Sequence, residues 1–345
     1  MTTSTAALVT PDEETWRSTL ETCQHDLYHL PAYARLDATT GAGRPRAFVY
    51  QEGEKALLLP LVVQDIPGEE YQDAVSPYGY SGPVSNVAIE QGDFWARAAV
   101  ALTSTLRENG IIAAFVRLHP LLPVPHNALA TVGTLVKHGD TVVIDADLPP
   151  ETVWSRTRQS HRRAITQARQ TGMQVHINDW GHLDDFIQTY RQTMVRLGAA
   201  ECYLFDADYF WRLRRDLGDH VHLAAAVMSG EFVGGLLFFH YRGAAHAHLS
   251  CTIEDPVARG SSKLLDDEVR RWVQQREGLT YHLGGGVGGK NDSLYEYKRG
   301  FSPHSCPFYT WRIVADRAAY VAVSERSGAS GSDAGSGYFP AYRAL

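Results

Sequence analysis

Five glycines in six positions stand in the run His282-Leu283-Gly284-Gly285-Gly286-Val287-Gly288-Gly289-Lys290-Asn291-Asp292-Ser293. Backbone without Cβ atoms turns sharply and lets a ligand come close, so Gly284, Gly285, Gly286 and Asn291 are candidate substrate-binding residues. Gly284 to Lys290 formally fits G-x-x-x-x-G-K, but Asn291 stands where a phosphate loop needs Ser or Thr for magnesium. Downstream follows Asp292-Ser293-Leu294-Tyr295-Glu296-Tyr297-Lys298-Arg299-Gly300-Phe301. A lysine beside a bare glycine loop supplies a fixed positive charge where an oxyanion develops; the bland alternative is a solvated lysine.

Arginines form the second constellation. On a helix beginning after Pro150, Trp154, His161, Ile165 and Ala168 share the apolar stripe, and Arg158, Arg162 and Arg169 run along one edge of it within roughly 40°. Guanidiniums in a line suit forked hydrogen bonds to phosphate. Arg259 joins them: Asp255-Pro256-Val257-Ala258-Arg259-Gly260-Ser261-Ser262 lies between a strand and a helix start, where free N–H groups attract anions. The bland readings are a solvated basic face and an ordinary serine cap. The histidines do not converge on a metal site, since His246 and His248 share a strand face without a third ligand.

The elements that must position these residues read as α/β (α+β). Ala47–Tyr50 and Ala56–Asp65 form an antiparallel hairpin, followed by the loop Ser76-Pro77-Tyr78-Gly79-Tyr80-Ser81-Gly82-Pro83, in which Tyr78 and Tyr80 are candidate substrate contacts. A helix with Phe94, Trp95, Ala98, Ala99, Leu102 and Leu106 on one face and the strand Ile111–Leu118, ending at His119-Pro120, come next. After Pro149-Pro150 the second half repeats the grammar: a basic helix Glu151–Thr171, strands around 174–177, 222–228, 232–241 and 245–251, an amphipathic helix through Leu264 and Trp272, and strands at 280–283 and 308–314. The expected domains are 1–148 and 149–323, with a flexible Ser/Gly-rich tail over 324–345.

Composition limits the function. The formal charge of −7, from 32 basic and 39 acidic residues, argues against a protein that coats nucleic acid but leaves room for a local basic site. No apolar run approaches the roughly 18–20 residues of a membrane span, and the N-terminus lacks the basic and apolar regions of a secretory signal. Cys23, Cys202, Cys251 and Cys306 form no CxxC pair and read as reduced thiols, so the expected compartment is cytoplasmic.

Taken together, Ser81-Gly82-Pro83, Arg117-Leu118-His119-Pro120-Leu121-Leu122, the Arg158–Arg169 helix, His282-Leu283-Gly284-Gly285-Gly286, Asp292-Ser293-Leu294 and Tyr297-Lys298-Arg299-Gly300-Phe301 resemble the Fem-type (FemABX-like) transferases of the GNAT-like acyltransferase superfamily. The resemblance spans about Tyr28 to Tyr320 and is most specific at its C-terminal end. It implies two tandem GNAT-like domains with mixed sheets flanked by helices. It also implies transfer of an aminoacyl group from the aminoacyl-tRNA 3′ end to the amine of a peptide-like natural product or peptidoglycan precursor, with no metal or redox cofactor. Tyr297 and Lys298 take the family's place at the reaction centre. His119 stands where members acting on cell-wall precursors often carry an acid, which favours a small peptide-like acceptor. Either His119 or Asp292 is a candidate acceptor of the amine's proton. Two alternatives stay open: a coenzyme A-dependent N-acyltransferase with Arg259–Ser262 as its pyrophosphate loop, and a non-catalytic binding protein on a transferase scaffold.

Overall fold

A computed structural model describes residues 4–41, 43–276, 278–329, 335 and 337–344. The chain begins with β1 (Ser4–Val9), α1 (Glu14–Thr22) and α2 (Pro31–Thr40), and then forms the hairpin β2 (Arg44–Glu52) and β3 (Lys55–Asp65). Gly53, at φ +61°, makes the turn. Strand alternation separates the two faces: Phe48, Tyr50, Leu57, Leu59 and Leu61 pack with Phe94, Trp95, Ala98 and Leu102, whereas Ala47, Val49 and Leu58 pack with Trp16, Leu20 and Ala34. Both faces are therefore covered, which explains a strand as continuously apolar as Ala56–Val63.

Next come β4 (Gln72–Val75), β5 (Val84–Ser85), α3 (Gly92–Glu108), β6 (Ile111–Arg117), α4 (His126–Leu129) and β7 (Thr134–Asp145). β4 runs parallel to β6, and the β1–β2, β2–β3, β3–β4 and β3–β5 pairs are antiparallel. After β7 come α5 (Pro150–Arg156), α6 (Gln159–Gln170), β8 (Gln174–Ile177), α7 (Leu183–Arg196), α8 (Ala207–Leu217), β9 (Val221–Met228), β10 (Glu231–Tyr241), β11 (Ala244–Thr252), α9 (Ser261–Gln274) and β12 (Thr280–Gly284). β12 pairs parallel with β11 and antiparallel with the end of β7. Ile165 and Ala168 of α6 and Leu264, Leu265, Val269 and Val273 of α9 cover one side of the β9–β10 strands, filling in against Ala224, Ala226, Leu236 and Phe238. Finally, α10 (Ser293–Arg299), β13 (Ser305–Val314) and α11 (Arg317–Arg326) complete the chain, with β13 antiparallel to β6.

These elements form two compact units, Met1–His138 with Pro307–Leu345, and Gly139–Cys306. The units therefore change inside β7 and inside β13 rather than at the expected 148/149 and 323/324 boundaries. Pro150 starts a helix as its first residue, a position where its missing N–H costs nothing. The basic helix is likewise two helices, because Thr157 and Arg158 are extended between α5 and α6.

The expected flexible tail is corrected as well. Residues 324–326 complete α11, and Phe339 and Tyr342 are buried with Ile66, Ile112 and Tyr320. Arg343 forks onto Asp73 at 2.6 and 2.9 Å. Part of that segment (330–334, 336 and 345) lies outside the described residues. Cys23 and Cys251 are buried free thiols, and Cys306 is a partly buried one. Among the described residues no helix is long and apolar enough to cross a membrane.

Candidate active site

β12 ends at Gly284, where φ is +77° and the chain leaves the sheet. A side chain at Gly286 would collide with the Lys290 carbonyl at 2.1 Å and the Asp292 carboxylate at 2.3 Å, so the reversal that follows requires glycine there. Asp292 binds this loop to the next helix: its carboxylate accepts from the N–H groups of Val287 and Tyr295, each at 2.9 Å. Those backbone donors, Tyr295 foremost, hold the Asp292 carboxyl below its ordinary range. Asp292 is thus the cap of α10 and a weak base, a different task from accepting the amine's proton.

The capped helix α10 presents Tyr297 and Lys298. Lys298 Nζ donates to the Gly285 carbonyl at 2.7 Å. Burial pulls its ammonium down to about 8, although the Asp266 and Asp292 carboxylates oppose the shift. Tyr297 donates its phenol to Asp266 at 2.6 Å, and Tyr281 on β12 donates to the other oxygen of the same carboxylate at 2.8 Å. Burial raises the Asp266 carboxyl above its ordinary value, outweighing the two phenols and Lys298. Burial and the Asp266 charge also raise both phenols. The Lys263 ammonium lies 5.4 Å from the centre of the Tyr297 ring, within cation–π range.

α6 clasps the motif from outside. The His161 imidazole donates from Nε2 to the Tyr297 carbonyl at 2.9 Å and meets the Phe301 ring edge-on at 4.8 Å. A Cβ at Gly300 would sit 2.3 Å from that imidazole. The break between α5 and α6 has its reason here: the Arg158 N–H donates to the Gly300 carbonyl at 2.7 Å and the Thr157 hydroxyl to the Phe301 carbonyl at 3.3 Å. A continuous helix would have spent that Arg158 N–H on itself.

The expected arginine row does not survive intact. Arg158 is exposed and pairs with Glu296 of α10 at 3.2 Å, and Arg162 is half-buried with no ion pair among the described residues. Arg259 is exposed beside Gly260. Arg169 is corrected: its guanidinium is taken up by Asp267 and Glu268 of α9, each at 2.5 Å, and is not available for phosphate. Asn291 is exposed in the loop.

His119, Tyr78 and Tyr80 belong to the other unit. His119 accepts the Leu121 N–H at Nδ1, so its proton is on Nε2, which donates to Asp26 at 2.8 Å. Its ring is buried. Both ring nitrogens are thus engaged, one by the Leu121 N–H and one by Asp26. His29 is fully buried, donates to the Gly82 carbonyl at 3.0 Å, and is held down to about 3 by burial and by His119. The Tyr80 ring sits edge-on to Tyr28 and Phe308, each at 5.6 Å, and the Tyr78 carbonyl accepts from the Tyr33 phenol at 2.8 Å. Burial raises the Tyr80 phenol.

Sequence reading missed Asp26, His29, Tyr281 and Asp266. For Asp266 a signal exists. At 100° per residue it falls on the same side of its helix as Val269 and Val273, and an acid inside an apolar stripe needs a buried partner.

Residues 155–299, which contain α6, α9, the glycine loop and α10, match the family model described as acetyltransferase (GNAT) domain. None of the curated proteins matches the sequence. Among solved structures, that of FemX covers 92% of this chain and 99% of its own, with a TM-score of 0.72 at 11% identity. L-PGS from Bacillus licheniformis covers 91% and 95% at TM-score 0.57 and 14% identity. The C-terminal domain of a putative lysylphosphatidylglycerol synthetase from Agrobacterium fabrum covers 86% and 93% at TM-score 0.50 and 13% identity. At such identities the likeness is one of fold. The chain thus has a mixed α/β fold like that of FemX, and the GNAT domain match lies within its second unit.

Proposed function

We propose that the protein is an aminoacyltransferase that makes an amide. It moves an aminoacyl group from the ester at an aminoacyl-tRNA 3′ end to the amine of a small peptide-like acceptor, in the cytoplasm where charged tRNA is found. The observation that carries this reading is Lys298: a partly buried cation anchored on the Gly285 carbonyl, beside a stretch of backbone bare of side chains. In the reaction the acceptor nitrogen attacks the ester carbonyl, a C–N bond forms and the C–O bond to the ribose breaks. The proton lost by the amine ends on the ribose hydroxyl. The ester is already activated, so orientation and charge stabilisation supply most of the acceleration. Lys298 stabilises the oxyanion, Tyr297 walls the acyl group, and Asp292 holds the loop. Arg158, Arg162 and Arg259 meet the phosphates of the tRNA end. The fold shared with FemX, and with a synthetase named for an aminoacylated lipid, supports the class of reaction.

The match to an acetyltransferase domain favours a second reading, a coenzyme A-dependent N-acyltransferase using the turn at Gly260, whose φ of +87° starts α9. One experiment separates the two. Purified protein is given an amine panel with either charged tRNA carrying labelled amino acids or labelled acetyl-CoA. Label transfer from tRNA, abolished by RNase and reduced about 100-fold or more in Lys298→Ala, supports the proposal. Transfer from acetyl-CoA alone, or undiminished turnover by Lys298→Ala, overturns it.

A further inference from the structure

Asp266 has no role in the chemistry described so far, yet it is one of the most committed groups in its unit. It lies on α9, remote in sequence from α10, and is 8% exposed. Its carboxylate takes one phenol on each oxygen, from Tyr281 of β12 and Tyr297 of α10. A neutral pair of donors satisfies its hydrogen bonding without cancelling its charge, so the field of the carboxylate reaches beyond the cluster. Lys298 is the next residue after Tyr297, and its ammonium is anchored on Gly285, one residue beyond the end of β12. Both the cation and the carboxylate are thus held by the same two elements, β12 and α10. No direct ion pair between them is formed within 4 Å among the described residues.

We infer that Asp266 is a positioning residue for Lys298: through Tyr281 and Tyr297 it locks α10 onto β12, and its buried carboxylate favours the charged form of the Lys298 amine. Asp292 on the loop adds to the effect of Asp266. Lys263 on α9 lies over the Tyr297 ring. His161 of α6 contributes a neutral donor to the Tyr297 carbonyl. The phenols of Tyr281 and Tyr297 are protonated, since burial and Asp266 both raise them. Asp266 therefore supplies a buried negative charge alongside that of Asp292. This inference rests on the proposed role of Lys298 for its meaning in catalysis, but its physical content concerns the amine alone.

The test reads the amine directly and needs no substrate. Full-length protein is acetylated with trace acetic anhydride between pH 6 and 11, and the Lys298 peptide is followed by mass spectrometry against an exposed lysine. Asp266→Asn is expected to lower the midpoint of Lys298 reactivity by about one pH unit, and Asp266→Glu to restore most of it. Tyr281→Phe removes a donor that favours the charged carboxylate, so it shifts the midpoint in the same direction by less, and it serves if Asp266→Asn does not fold. A midpoint unchanged or raised in these variants overturns the inference. Failure of transfer from charged tRNA with the midpoint shift intact would count against the transferase reading and leave this one standing.

Discussion

Two aspartates stand side by side on α9 and receive opposite treatment. Asp267 accepts from Arg169, Arg270 and Arg271 at 2.5, 2.6 and 3.1 Å, and its neighbour Asp266 accepts from two tyrosines. Both are buried. Burial raises each carboxyl, but at Asp267 the guanidiniums, Arg270 first, outweigh it and leave the group below its ordinary value. At Asp266 burial wins. The pair teaches that hydrogen-bond satisfaction and charge compensation are separate quantities. Asp267 has both and ties α6 to α9. Asp266 has only the first, which leaves its charge to act on Lys298.

The largest expected effect tests the structural half of this contrast. Asp267→Ala strands Arg270, whose side chain is 3% exposed, and should cost about 3–5 kcal/mol in urea unfolding. A loss below about 1 kcal/mol would mean that Asp267 compensates nothing.

The next prediction sets the two aspartates against each other in acid. A depressed folded pKa contributes stability that is present above the unfolded value, about 3.9, and is lost as pH falls through the folded one. A raised folded pKa works in reverse, with its contribution complete below the unfolded value and lost as pH rises through the folded one. Thermal melts from about pH 7 down to about 2 should therefore show Asp267→Asn closing the gap to wild type below about pH 4. Asp266→Asn, within about 1 kcal/mol of wild type at pH 7, should fall behind it as the pH drops. Parallel pH profiles for the two variants would remove the distinction.

Arg271→Ala is expected to have the smallest effect. Its side chain is 46% exposed and it is the third cation on a carboxylate already satisfied, so the expected loss is about 0.2–1 kcal/mol. A much larger loss would show that the Asp267 cluster works as one network rather than through Arg169 and Arg270.

Much of the fold could be read from the chain. The β2–β3 hairpin, the buried face of α3, the strands β8 to β12 and the apolar face of α9 follow from period-2 and period-3.6 patterns. Short elements escaped because they carry too few periods: β4, β5 and the seven-residue α10 that holds Tyr297 and Lys298. The helix expected across Glu151–Thr171 had the right periodicity on both sides of Arg158, and only the Gly300 carbonyl, distant in sequence, explains why it breaks there. The tail looked mobile by composition, yet Phe339, Tyr342 and Arg343 are anchored by Tyr320 and Asp73.

By itself the sequence determined where backbone freedom and charge are concentrated: the glycine run after β12, the lysine after Tyr297, the arginines along α6. These are properties of residue type and near spacing, and they need no partner to be recognised. Tertiary structure alone decided which charges stay available. Arg169 is neutralised by acids 98 and 99 residues away, Asp292 is spent on a helix cap, His119 is tied to Asp26, and Lys298 is left as a partly buried cation. The physical reason is that desolvation and pairing depend on which side chains arrive from distant segments, and residue type does not encode that arrival.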